Sequence, residues 1–236
     1  MTTPTVVVRH VNIGLARRLK VGERSVLTAI GKAPVTGPVA VGPLGLAGDE
    51  QADPSVHGGL GKAVYAYPAA HYAFWQAQRR ERGVSLFDET LPPGFMGENL
   101  TIDGPLEADV FVGDEWHFPH CVLRVSAPRE PCFKFNAVMG FAQAGRTMAL
   151  AGCCGYYLAV DQPGTIAAGE TATLVPGQRG LSIAQALAVL PGGVAALGEK
   201  GELLGWRRAG AAWGPRNPSG GRPAWAGLPD GRILSN

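Results

Sequence analysis

Long apolar runs are missing from this sequence. No stretch approaches the roughly 20 residues that carry a helix across a bilayer. The opening Met-Thr-Thr-Pro-Thr-Val-Val-Val-Arg has neither the basic start nor the apolar middle of a secretory signal. Charge of one sign is also lacking: 21 basic against 19 acidic side chains leave a formal net charge of +2, so no global field draws the chain to nucleic acid or to an anionic membrane. Arg207, Arg208, Arg216, Arg222 and Arg232 gather near the C-terminus, but that balance argues against a nucleic-acid module. Cysteine is sparse, with Cys121, Cys132, Cys153 and Cys154 the complete set. With no export route visible, they are expected to be reduced thiols in a cytoplasmic protein rather than a disulfide framework. No Gly-x-Gly-x-x-Gly follows a strand and opens a helix, so nothing points to a resident flavin or nicotinamide.

What is abundant is glycine and proline, 34 and 19 of 236 residues, which predicts many turns and short strands. Strands are expected at Val6–Val11, Val35–Val41, Ala63–Tyr67, Leu100–Ile102, Val110–Phe118, Cys121–Ser126, Met148–Val160 and Thr165–Val175. One helix is expected before residue 176, over Pro68–Arg82, where Tyr72, Trp75, Gln76 and Arg79 recur at helical spacing. Such a pattern points to a mainly β chain forming a closed or nearly closed β-barrel over residues 1–176. Past Pro176-Gly177 the composition changes. Ser182-Ile-Ala-Gln185 has capping-box form, and with Val194–Leu197 and Glu202–Trp213 it predicts a small helical unit over 181–213. Residues 214–236 are expected to drape over the surface or stay disordered.

Chemistry concentrates in three loops. Ser-Ala-Pro-Arg-Glu-Pro-Cys-Phe-Lys-Phe-Asn, residues 126–136, sets Cys132 between Arg129 and Lys134 and stiffens the turn with Pro128 and Pro131. Nearby cations favour a thiolate, which is the nucleophilic and metal-binding form. Residues 48–62, Gly-Asp-Glu-Gln-Ala-Asp-Pro-Ser-Val-His-Gly-Gly-Leu-Gly-Lys, combine carboxylates, His57, glycines and Lys62 in a turn suited to an anion. It is not a P-loop, because Ala63 follows Lys62 where a magnesium-binding hydroxyl would stand. Pro-Gly-Phe-Met-Gly-Glu-Asn-Leu-Thr, residues 93–101, offers a carboxyl at Glu98 for proton transfer and an amide at Asn99 to orient a polar ligand.

Together, Gly-Asp-x-Gln-Ala-Asp, His-Gly-Gly-x-x-Lys-Ala-Val-Tyr-Ala-Tyr-Pro, Gly-Glu-Asn-Leu-Thr and Pro-Arg-x-Pro-Cys-x-Lys, in order over residues 48–136, resemble the YiiM-like branch of the MOSC proteins, named for the C-terminal domain of molybdenum cofactor sulfurases. The 181–213 unit is similar to that branch's C-terminal 3-alpha domain. The resemblance implies a β-barrel that binds a pyranopterin molybdenum cofactor, with Cys132 as the protein ligand to molybdenum. Lys62, Arg129 and Lys134 become candidates for contacting the cofactor's phosphate and pterin, with Asn99 and Asn136 as neutral partners. It further implies reduction of small N-hydroxylated substrates of the hydroxylaminopurine type, with His57 and Glu98 as candidate proton donors and a separate reductase as electron source. The helical unit is then a candidate surface for docking or homodimerisation. Two alternatives stay open: a persulfide carrier on Cys132, and a molybdenum cofactor carrier or sensor without catalysis. In the glutamate loop Phe95-Met96 stands where phenylalanine alone is expected before the glycine, a departure that bears on pocket shape.

Overall fold

Alternating valines build the first strand. In β1 (Thr5–Ile13) Val6 and Val8 point into the core, and a bulge between Val8 and His10 shifts the phase so that Val11 is buried next. The computed structural model describes residues 5–52, 58–85 and 89–188, with the backbone of two further strands at 206–209 and 212–215. After β1 come β2 (Arg17–Val21), β3 (Arg24–Thr28), β4 (Ala33–Val35), β5 (Val39–Gly42), β6 (Gly45–Leu46) and β7 (Val64–Pro68). A single 3-10 turn leads into α1 (Tyr72–Glu81), followed by β8 (Leu100–Asp103), β9 (Glu115–His117) and β10 (Val122–Pro128). The next elements are α2 (Phe133–Met139), α3 (Ala144–Ala151), β11 (Tyr156–Gln162), β12 (Gly164–Ile166), β13 (Thr171–Val175) and α4 (Ile183–Ala188).

Seven strands close on themselves in the order β13-β9-β10-β11-β7-β8-β1, and β1 returns to β13 with Thr5 opposite Thr173. The chain is thus a mainly β protein with a closed barrel and a few helices, as its turn-rich composition predicts. Every pairing in the barrel is antiparallel except β7 with β8, which is parallel and needs the crossover that α1 supplies. Trp75, Trp116, Tyr67, Tyr156 and Phe135 are among the largest side chains fully buried in the interior.

Several elements differ from the sequence reading. Val35–Val41 splits, because Gly37-Pro38 lets β4 pair with β1 while β5 joins a small sheet with β6 and β12. Only Glu115–His117 of the Val110–Phe118 run is a strand. Ahead of it a turn is held by Asp114, whose carboxylate accepts from the Phe111 and Gly177 N–H groups at 3.1 and 2.8 Å. Met148–Ala151 is the end of helix α3, which buries Ala144 and Met148 one turn apart, and strand β11 starts only at Tyr156, beyond the left-handed Gly152 and Gly155. Among the described residues three α-helices precede residue 176, not one.

The capping box forms as written: the Ser182 N–H donates to Gln185 Oε1 at 2.9 Å, and the Gln185 N–H to Ser182 Oγ at 3.2 Å. Helix α4 is no detached unit, because Ile183 and Ala184 donate backbone bonds to Val110 and Glu107 of the barrel. Where a helix was expected over Glu202–Trp213, the described backbone forms an antiparallel ladder of β14 (Trp206–Ala209) and β15 (Ala212–Pro215). Val194–Leu197 and residues 216–236 lie outside the described residues.

Gly155 joins α3 to β11 with φ +64°, and a Cβ there would sit 2.5 Å from the Ala66 carbonyl oxygen. Gly155→Ala is expected to cost at least about 1–3 kcal/mol from the backbone conformation alone. Urea unfolding reads the loss; an unchanged midpoint would contradict this packing.

Candidate functional site

Cys132 stands at the N-terminal boundary of α2, in extended backbone, and its carbonyl accepts the first helical bond from Phe135 at 2.9 Å. Serine, threonine or aspartate would ordinarily occupy such a position and cap the helix through the side chain. Here the thiol makes no capping bond and remains half-buried on the wall of a pocket. The helix behind it is fixed from α1. Trp75 packs edge-to-face on Phe135 with ring centroids 5.2 Å apart, and Arg79 holds Glu89 with two bonds while donating to the Met139 carbonyl at 2.7 Å.

The same pocket is lined by Lys62, Arg129 and Lys134, so three of the cations picked from the sequence converge on the thiol. Arg129 is only 3% exposed. Its guanidinium lies over the rings of Tyr65 and Phe135, at 5.5 and 5.0 Å, and donates to the Met148 sulfur at 3.6 Å. Among the described residues no carboxylate pairs with it. A buried charge without a partner is costly, so the pocket is built to receive an anion. Lys62 is buried, with its ammonium 5.4 Å from the centre of the Tyr157 ring. Its turn is tied down by Ser126, whose hydroxyl lies against the Gly61 carbonyl and, at 2.9 Å, the Tyr157 carbonyl.

Sequence reasoning missed the opposite wall. Thr28, Ile30, Lys32 and Asp49 line it, and the Lys32 ammonium is bonded to Asp49 in a buried ion pair. Asp49 also accepts from the Gly14 N–H at 2.9 Å and from Asn99 Nδ2 at 2.8 Å. The Gly-Asp of residues 48–49 was the available signal for Asp49, whereas nothing local marks Lys32.

Three of the other expected positions behave differently. Asn99 lines the pocket, but its amide is taken up by protein: Nδ2 donates to Asp49 and to the Asn12 carbonyl, and Oδ1 accepts from the Tyr65 N–H at 3.1 Å. Asn136 does not line the pocket; its Oδ1 accepts from the Gly145 N–H at 2.7 Å and links α2 to α3. Glu98 does not line it either. Its side chain turns into the interior, where Oε1 accepts from Tyr72, from Thr101 at 2.7 Å and from the Gly94 N–H at 2.8 Å. His57 lies outside the described residues.

Burial raises the Glu98 pKa above the ordinary value, outweighing these three donors. It also pushes the Cys121 thiol to about 11 and that of Cys153 to about 12, with Cys154 well above the usual thiol range. These three cysteines are protonated structural residues. Cys132 differs from them in lining the pocket.

A closed barrel carrying one accessible thiol in a cationic pocket defines the class of protein, and comparison with known proteins agrees. Residues 53–173 match the MOSC domain family. The chain is 35% identical to protein YiiM of Escherichia coli K12 over 162 residues, 69% of this chain and 70% of that one. The crystal structure of YiiM from Geobacillus stearothermophilus superposes with a TM-score of 0.60 and 30% identity, covering 78% of this chain and 83% of that one. A protein of Gibberella moniliformis named "Reductase" is 34% identical over 163 residues, 68% of this chain but 28% of its own length. The chain belongs to the MOSC domain family, in its YiiM-like branch. Membership associates it with the molybdenum cofactor.

A carboxyl with a raised folded-state pKa stabilises the fold below the pKa of the unfolded chain, and loses that contribution as pH rises through the raised value. Wild-type stability should therefore fall with pH relative to Glu98→Gln, whose amide does not ionise. Urea unfolding between about pH 4 and about pH 8 should show the gap widening upward from the usual glutamate range; parallel curves would refute the assignment.

Proposed function

We propose that this protein is a molybdenum cofactor-dependent oxidoreductase that reduces N-hydroxylated compounds, with hydroxylaminopurine-type base analogues as substrates. The observation that supports it is the Cys132 thiol opening into the same pocket as the buried, carboxylate-free guanidinium of Arg129. The residues present fit the cofactor. Thiolate is a soft ligand suited to molybdenum, and Arg129, Lys62 and Lys134 supply positive charge for an anionic phosphate and dithiolene. When bound, the cofactor supplies two-electron oxygen-atom chemistry that no side chain can perform.

The chain's own residues then bind, orient and enclose. Arg129 is held by ring stacking and by the Met148 sulfur rather than by a counter-charge, so its charge stays uncompensated for a ligand. Lys32, Asp49 and Asn99 make a rigid polar wall. Tyr65 and Tyr157 make an aromatic one suited to a flat heterocycle. Burial raises the Tyr157 pKa to about 12, so its phenol keeps the proton at neutral pH. Reduction of a hydroxylamine breaks the N–O bond with two electrons and two protons, giving an amine and water. His57 remains a proposed proton donor from its place in the 48–62 loop, whereas the inward position of Glu98 favours a structural role.

Protein from a host that makes the cofactor is expected to carry molybdenum stoichiometrically and to reduce 6-N-hydroxylaminopurine with reduced methyl viologen. Cys132→Ser should abolish the retained metal. Arg129→Met should weaken cofactor retention about ten- to hundredfold, since a hydrogen bond to a charged group contributes about 1.5–3 kcal/mol. Metal analysis checks both. Full molybdenum content in Cys132→Ser would refute the ligand assignment, and cyanide-labile sulfur on Cys132 without molybdenum would favour the persulfide carrier.

A further inference from the structure

The hairpin β2–β3 carries a charge that nothing in the pocket uses. Its register sets Arg17 opposite Thr28, Arg18 opposite Leu27, Leu19 opposite Val26, Lys20 opposite Ser25 and Val21 opposite Arg24. Because side chains alternate along a strand, one face holds Arg17, Leu19, Val21, Arg24, Val26 and the buried Thr28, and the other holds Arg18, Lys20, Ser25 and Leu27. The second face is exposed throughout, with Leu27 48% exposed between the two cations. Arg17 and Arg24 are exposed as well, and Glu23 is the sole acid of the hairpin.

These four cations have no carboxylate partner among the described residues. The acids at the root are engaged with backbone: Asp49 accepts from the Gly14 N–H at 2.9 Å and Glu50 from the Ala16 N–H at 2.7 Å. Among the described residues the hairpin pairs with no other strand. A net charge of +3 on Arg17–Thr28, from those four cations and Glu23, exceeds the +2 of the whole chain. Crowded like charges repel, and an acidic surface would relieve that repulsion.

Position gives the patch its meaning. The foot of the hairpin, Thr28 with Ala29 and Ile30, lines the Cys132 pocket. Phe133, next to Cys132 in sequence, is 55% exposed and offers a second apolar side chain on the surface. A few exposed apolar side chains among cations, beside a redox pocket, match the small, charge-steered interfaces of transient electron-transfer partners.

We propose that the outer face of β2–β3, centred on Arg18, Lys20 and Leu27 and extended by Phe133, docks an acidic electron-donor protein. The docking brings the donor to the pocket rim at Thr28–Ile30 and delivers the two electrons that N–O reduction consumes. This rests on the reductase reading above.

The test uses the molybdenum-loaded full chain, with 6-N-hydroxylaminopurine as substrate and two kinds of donor. One is reduced methyl viologen, small enough to need no docking. The others are acidic proteins, reduced flavodoxin and reduced plant-type ferredoxin, each regenerated by its own NADPH-dependent reductase. In Arg18→Glu/Lys20→Glu, protein-driven turnover is expected to fall by at least about tenfold while viologen-driven turnover stays within about twofold, because steered association responds strongly to charge reversal. In wild type the protein-driven rate should fall steeply between about 50 mM and about 500 mM salt, as screening shortens the reach of the patch.

Equal protein-driven rates in wild type and variant overturn the proposal, as does a wild type that viologen drives but neither acidic protein does. A wild type that even viologen cannot drive overturns the reductase reading itself, and the docking proposal with it. Salt-sensitive binding of a labelled oligothymidylate, lost in the variant while protein-driven rates stay equal, assigns the patch to nucleic acid and overturns docking.

Discussion

A guanidinium held between two aromatic rings sets the terms for the site. Arg129 touches Tyr65 of β7, Phe135 of α2 and Met148 of α3, and its backbone N–H reaches the Gly155 carbonyl ahead of β11 at 3.3 Å. None of these contacts neutralises it. Stacking fixes the side chain in place while leaving its charge uncompensated, which is a different solution from an internal salt bridge. In a salt bridge the donors would be consumed. Here one N–H rests on the Met148 sulfur and no carboxylate among the described residues takes the others, so a bound anion would offset the local desolvation cost.

The rest of the site is arranged so that this charge and the thiol stay in register. The loop from Pro128 to Pro131 ends on α2, and α2 is fixed by the two clamps from α1, Trp75 on Phe135 and Arg79 on Met139. Glu98 fastens the 94–98 turn from within, and Asp49 gathers Gly14, Lys32 and Asn99 on the far wall. Each wall is therefore supported by a polar group whose bonds go to protein. Such support is what keeps a binding constellation from loosening.

The barrel and half of the site could be read from residue order, because the informative features were local. Glycine and proline punctuation forecasts short strands whatever their pairing, and Cys132, Arg129 and Lys134 lie within one loop and the helical turn it opens. The misses have physical causes. Helices α2 and α3, of 7 and 8 residues, are too short to display a period, and the end of α3, from Met148, falls in a run read as strand. Glu98 and Asn99 are neighbours, yet one side chain turns into the interior and the other lines the pocket, and a shared motif cannot say which. Asn136 lies two residues past Lys134 on the same short helix, yet its amide turns to the Gly145 N–H of α3. Lys32 reaches the site through its pairing with Asp49, a long-range contact that leaves no trace in spacing.

The closure of the barrel has an evolutionary corollary. Since Thr5 on the first strand pairs with Thr173 on the last, the polypeptide enters and leaves the barrel at neighbouring points on one seam. A fold of that kind can be spliced into a larger protein as a cassette, joined at a single place, without disturbing its interior. The Gibberella moniliformis relative, whose matching stretch is 28% of its length, carries this region within a much longer chain.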